Sequence, residues 1–137
     1  MKLTLAAAEA VIAAAKHYVA EQGYPPVCIS ILDEAAYPLA FARMDGTFLA
    51  TIDIAYQKAK TAALFKANSD KVGANFLPGA PAYSLENSNG GLVGIGGGVA
   101  LYDAEHCFVG AVGISGATIE QDLAIALFAA NALSANR

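Results

Sequence analysis

Apolar residues at Leu5, Ala8, Ile12, Ala15 and Val19 recur every three or four positions. That spacing predicts an α-helix over residues 3–22 with one face turned to a core. Thr4 stands where an N-cap hydroxyl is needed, and Gly23 where the chain leaves the helix. Pro25-Pro26 then set the chain extended. Residues 27–32 (Val-Cys-Ile-Ser-Ile-Leu) read as a buried strand, and residues 37–44 as its hairpin partner across the turn Asp33-Glu34-Ala35-Ala36. Pro38 assigns the second strand an edge position or marks its start. Asp45-Gly46-Thr47 breaks the pattern. Residues 49–67 return to helix, with Ala55, Ala59, Ala62 and Ala63 forming a face small enough for close packing. A short helix over 69–76, capped by Ser69 or Asn68, precedes a loop over 77–90. Strands are expected at 92–95, 98–102 and 107–115, with Asp103-Ala104-Glu105-His106 as a hairpin turn. A last helix runs from 119 to about 134, opened by a Thr118/Gln121 capping box and striped by Ile119, Leu123, Ala126, Ala130 and Leu133. Hairpins dominate, so the class is α+β, with an antiparallel sheet and helices packed on it. The 137 residues read as one domain, 1–137.

Nine of the 13 glycines fall within residues 90–116, interleaved with Val, Ile, Leu and Phe. Glycine weakens a strand, so this density has a purpose: bends and close strand packing on one reading, a ligand-facing backbone or a subunit contact on the other. The segment is not a phosphate loop, because no Gly-Lys-Ser/Thr follows it. It is not a dinucleotide fingerprint either, because Val99 stands where the third glycine belongs.

Composition narrows the function. Only 15% of residues are charged and 56% are hydrophobic, a balance that points to a homo-oligomer. Net charge is −4 and the eight basic residues form no run, which argues against nucleic acid as a partner. There is no stretch of ~18 apolar residues to span a membrane. The first residues lack the features of a signal peptide, so a cytoplasmic setting is expected. Cys28 and Cys107 are read as two buried thiols, not a disulfide or zinc site. No His/Cys/Asp/Glu group has metal-ligand spacing.

Few residues carry candidate chemistry. Arg43, one of two arginines, lies beside Asp45; the pair reads either as a structural ion pair or as an anion anchor at a pocket rim. Lys58 stands in the alanine-rich helix, where Lys60 and Lys66 read as solvated. Ser115 in Gly113-Ile114-Ser115-Gly116 lacks the spacing of a nucleophile elbow and reads as a cap into the last helix. Asp122 complements the dipole of that helix. His17 and His106 both read as exposed. Tyr83, Glu86 and Asn87 sit on the long loop.

Several stretches together resemble the GlcG/HbpS-like family: Phe41-Ala-Arg43-Met44-Asp45-Gly46, Ala55-x-x-Lys58-Ala59-x-Thr61-Ala62, Gly96-Gly97-Gly98, Val109-Gly110-Ala-Val-Gly113-Ile-Ser115-Gly116 and Gln121-Asp122. The resemblance implies a profilin-like or PAS-like layout with a five-stranded antiparallel sheet flanked by helices. It implies homo-oligomers from dimer to octamer, and kinship with the C-terminal domain of PduO-type corrinoid adenosyltransferases and with haem binders. Carried onto this chain, its pocket set is Arg43, Asp45, Lys58, Gly97, Gly98 and Ser115.

Two classes of function follow as expectations. One is an oligomeric binding module that holds haem, another tetrapyrrole or a small organic acid against the glycine-rich strands, with Arg43 and Lys58 pairing to carboxylates. For haem an axial His, Met, Cys or Tyr is required; His17, Met44 and the tyrosines are available. The other is a small catabolic enzyme in which Lys58 or Asp45 acts as acid or base on a hydroxy-acid, a keto-acid or a diol-pathway metabolite. A purely structural subunit of a catabolic assembly is a third.

Overall fold

A computed structural model describes residues 2–135. In chain order the elements are α1 (Leu5–Gln22), β1 (Cys28–Asp33), β2 (Pro38–Arg43), α2 (Ala50–Phe65), α3 (Ser69–Gly73), β3 (Gly98–Tyr102), β4 (Phe108–Ser115) and α4 (Ile119–Ala135). Short 3-10 turns occupy Ala74–Phe76 and Leu85–Asn87. The strands form one antiparallel sheet in the order β2-β1-β4-β3.

The ends of the elements follow local chemistry. The Thr4 hydroxyl accepts from the Ala7 N–H at 3.1 Å, and Gly23 closes α1 in the left-handed conformation. At α4 the expected box is reciprocal: Gln121 N–H donates to the Thr118 hydroxyl at 3.1 Å, and Thr118 N–H donates to Gln121 Oε1 at 3.2 Å. Ser115, also read as a cap into this helix, instead ends β4 inside the sheet. Both hairpins use one device. In each, an aspartate (Asp33, Asp103) accepts two backbone N–H bonds from the turn, and the fourth residue (Ala36, His106) takes a positive φ. Asp side chains mimic a backbone turn in this way, so no glycine is required.

The sheet carries helices on both faces. Toward α1 and α4 it presents Ile29, Ile31, Val99, Leu101, Val112 and Ile114, which meet Val11, Ala15, Ile125 and Ala129 in the main core. Burial of each large aliphatic side chain there stabilises the fold by about 1.5–3 kcal/mol. Toward α2 it presents Cys28, Ser30, Ala111, Gly113 and Gly98, and α2 answers with Thr51, Ala55, Ala59 and Ala62. Cys28 is buried as expected, 3.3 Å from the Thr51 hydroxyl. Cys107 is exposed, contrary to expectation, because it follows the β3–β4 turn.

The sheet has four strands, not five. Residues 92–95 are not a strand. Leu92 N–H donates to Glu86 O and Val93 N–H to the Thr61 hydroxyl, so the backbone is tied to the loop and to α2 instead of a ladder. Gly94 lies so close to Gly73 that a methyl on either would collide with the other's backbone. Two glycines in contact make a crossing strap, which apolar patterning alone cannot distinguish from a strand.

Candidate ligand-binding site

Four of the six anticipated residues meet at one place. Lys58 projects from α2 over Gly97, and its ammonium donates to Ile114 O at 2.9 Å and to Asp122 Oδ2 at 3.0 Å. A Cβ on Gly97 would stand 2.6 Å from Ile114 O and 2.9 Å from the Lys58 ammonium. One on Gly98 would collide with the Lys58 carbonyl. Ser115 follows Ile114 and is itself buried. Asp122 completes the group from the first turn of α4, where its other oxygen accepts the Ala117 N–H at 3.0 Å.

This locus is closed. Lys58 is 1% exposed and Asp122 2%. Burial pushes the Lys58 ammonium below the usual lysine value, against the pull of Asp122. Burial likewise pushes Asp122 upward, opposed by Lys58 and by the N–H groups of Ala117 and Gly116. Each charge is tolerated because the other is present. The dipole role expected of Asp122 is therefore joined by a second one, as the counter-ion of Lys58. The glycines serve the close approach of α2: Gly98 and Gly113 face its backbone at Lys58 and at Ala55–Ala59, leaving no ligand-sized space over them.

Arg43 and Asp45 stand apart from that group. Arg43 shares a lateral row with Cys28 and Ser115, two strands from Ser115, at about 10 Å. Both Arg43 and Asp45 are exposed, and neither is in an ion pair among the described residues.

An open site lies on the other side of the molecule. Where α1 and α4 pack, Ala13, Ala14 and His17 face Phe128, Asn131 and Ala132 across a groove of about 550 Å³. Its floor is methyl groups. His17 is exposed, and its Nε2 lies 3.4 Å from a Glu21 oxygen one turn on. The Phe128 ring is held by stacking on Tyr18, with centroids 4.5 Å apart. An imidazole beside a flat apolar floor can ligate a metal whose macrocycle covers the alanines, and a neighbouring carboxylate can orient the ring. His17 was available in the sequence but nothing placed it. The usable signal is alanine at 13 and 14, on the side of α1 away from its core stripe, where a solvated helix ordinarily carries charge.

The fold is an α+β domain with one antiparallel sheet and helices on both faces. The chain belongs to the HbpS-like family: the model described as haem degrading protein HbpS-like matches residues 3–131. The crystal structure of the Klebsiella pneumoniae protein ORFY superposes with a TM-score of 0.94 at 32% identity, covering 100% of this chain and 94% of that one. A crystal structure of PduOC in complex with haem superposes at 0.89, also at 32% identity, covering 96% and 95%. The corrinoid adenosyltransferase PduO of Citrobacter freundii is 38% identical over 108 residues, 78% of this chain but 32% of that protein, so the chain corresponds to about a third of it.

Proposed function

We propose that this chain is a haem-binding module, and that His17 is the axial ligand of a ring lying along the α1–α4 groove. The carrying observation is the exposed imidazole over an alanine-lined apolar groove of about 550 Å³. Pockets of this size and apolar character, with one or two convergent polar groups, suit a cofactor. Phe128 supplies a π-face at the same rim, and a Glu21 carboxylate oxygen lies 3.4 Å from the imidazole. The haem complex of PduOC, similar over nearly the whole chain, supports the same ligand class. A corrinoid is the neighbouring possibility within that class, because this chain also resembles part of a corrinoid adenosyltransferase.

The ring is assigned to the groove and not to the glycine-rich strands, because α2 fills the space over Gly98 and Gly113. Arg43 and Asp45 are the two anticipated residues open to a solvent-borne ligand; they serve the organic-acid version of the binding reading. The enzyme reading has less support: Lys58, its candidate base, is buried against Asp122.

Titration with haemin tests the proposal. The expected result is a saturable Soret shift at a fixed ratio per chain, lost in His17→Ala. His17 is exposed, so this substitution changes stability by about 0.5 kcal/mol or less. Absence of saturation, or an unchanged spectrum in His17→Ala, overturns it. Saturation by cobalamin but not by haemin would move the reading to the corrinoid.

A further inference from the structure

We infer that the cavity between the β3–β4 turn and the C-terminal half of α4 is a second binding site, which takes a small primary ammonium ligand with a short apolar body. The cavity holds about 280 Å³, at the lower end for a ligand site. Tyr102, Asp103 and His106 stand on one wall, and Leu127, Ala130 and Asn131 of α4 on the other. It is not the groove assigned to the ring, which α4 shares with α1 through Phe128 and Ala132. Asn131 marks the boundary between the two.

Asp103 carries the inference. It is 7% exposed. Its Oδ1 is committed to the turn, where it accepts the N–H groups of Glu105 and Cys107, each at 2.9 Å. Its Oδ2 is buried and has no hydrogen-bond donor among the described residues. Asp33 holds the other hairpin by the same pair of bonds but is only half-buried, and neither of its oxygens is left buried without a partner. The turn therefore accounts for Oδ1 of Asp103 and leaves the burial of Oδ2 unexplained. A buried carboxylate oxygen without a donor is unfavourable, and a ligand that supplies the donor gains by relieving it.

Several features select the donor. No lysine or arginine lines the cavity, and neither ion pair of the described residues includes Asp103, so its charge is unmatched until an occupant brings a positive one. The last turn of α4 carries no basic residue, so the negative end of that helix favours the same sign. Tyr102 and His106, stacked with centroids 4.8 Å apart, make their wall aromatic, and a tyrosine face attracts a cation. Among the described residues no three His, Cys, Asp or Glu side chains are grouped to hold a metal ion, so the cation is organic. Oδ2 needs an N–H, which a quaternary ammonium lacks. Leu127 and Ala130 on the α4 wall suit a short alkyl chain and not a second charge. His106, exposed on the turn, is the part of the wall that can swing aside for entry.

Titration of the isotope-labelled full chain with n-butylammonium chloride, followed by amide NMR shifts, tests this. Saturation is expected, with the shifts centred on residues 103–107 and on Ala130 and Asn131. n-Butanol has a donor but no charge, and tetramethylammonium has a charge but no N–H. Each should bind about tenfold more weakly or worse. Asp103→Asn keeps the turn, because asparagine makes the same backbone mimic, and removes the charge. It should weaken n-butylammonium about tenfold or more. Leu127→Trp fills the cavity from an exposed position and should abolish saturation. Far-UV circular dichroism reports that each variant is folded. No saturation in the wild type, equal binding of n-butanol, or undiminished binding in either folded variant overturns the inference. None of these outcomes depends on His17 or on haem.

Discussion

The two faces of the sheet are built by opposite means. Toward α1 and α4, contact is made by side chains: Ile29 and Ile31 interleave with Val112 and Ile114 and with the apolar stripes of two helices. Toward α2, contact is made by backbone: Gly98 and Gly113 carry no side chain, and the helix answers with alanines. A face of large side chains can repack when one of them changes, because rotamers and neighbours adjust. A face of backbone against backbone has nothing to adjust. It also holds a charged pair, Lys58 with Asp122, which the other face lacks among its buried residues.

That difference predicts an asymmetry between adding and removing a single carbon. Gly98→Ala places a methyl against the Lys58 carbonyl, and Gly113→Ala places one against the Ala55 carbonyl. Each should destabilise by about 3 kcal/mol or more, at the upper end of overpacking, because only movement of α2 relieves the collision. Ile31→Val removes one methyl from the opposite face and should cost about 0.5–1.5 kcal/mol. Denaturant unfolding of the three variants checks this. Equal costs would mean that α2 rides loosely on the sheet and the two faces are alike.

The next largest effect separates charge from close packing on the α2 face. Lys58→Met leaves the Asp122 carboxylate buried with two N–H donors and no counter-ion. The expected cost is about 3–5 kcal/mol. The double variant Lys58→Met, Asp122→Leu removes both charges, and its stability should lie within about 1 kcal/mol of wild type, or above it. A double variant as unstable as the single would show that the pair itself holds α2 in place.

The same contrast governs what could be read from the sequence. The side-chain face was legible. Its stripes gave α1, α4, β1 and β4 nearly to their ends, and the Thr4 cap and the Thr118/Gln121 box were visible as short local patterns. The backbone face was legible only as an anomaly. Glycine density announces a close approach but does not say to what, so residues 90–116 read equally well as bends with close strand packing and as a wall for a ligand or a subunit contact; that the neighbour is a helix came only with the fold. Residues 92–95 carried strand-forming side chains between glycines, and only the Gly94–Gly73 contact makes them a strap. The resemblance grouped Lys58, Gly97, Gly98 and Ser115 with Arg43 and Asp45 as one pocket set; in the fold the first four lie together and the last two stand apart. It did not reveal that Lys58 is closed off, because the partner, Asp122, lies 64 positions away and already had a sufficient reason as a dipole residue. The His17 groove lies between two helices distant in the chain, so only its α1 half, the alanines at 13 and 14, leaves a mark in the linear pattern.

The smallest effect tests how the two faces are joined. The first turn of α4 is shared between them: α4 packs on the α1 side, while Asp122 in that turn reaches Lys58 of α2. Thr118 fixes the same turn through its bonds with Gln121, and Asp122 N–H donates to Thr118 O at 2.7 Å. Thr118→Ala should cost about 1 kcal/mol, the ordinary loss of a helix cap. The informative quantity is its coupling to Lys58→Met in a double-mutant cycle. If the cap only closes the helix, the two costs add within about 0.5 kcal/mol. If the cap sets where the Asp122 carboxylate sits, the cost of Thr118→Ala shrinks once Lys58 is gone, because the placement no longer serves an ion pair. The expected coupling is about 0.5–1 kcal/mol in that direction, since Asp122 also accepts from Ala117 at the same cap. Strict additivity would mean that the two faces are stabilised independently and that the ion pair merely spans their boundary.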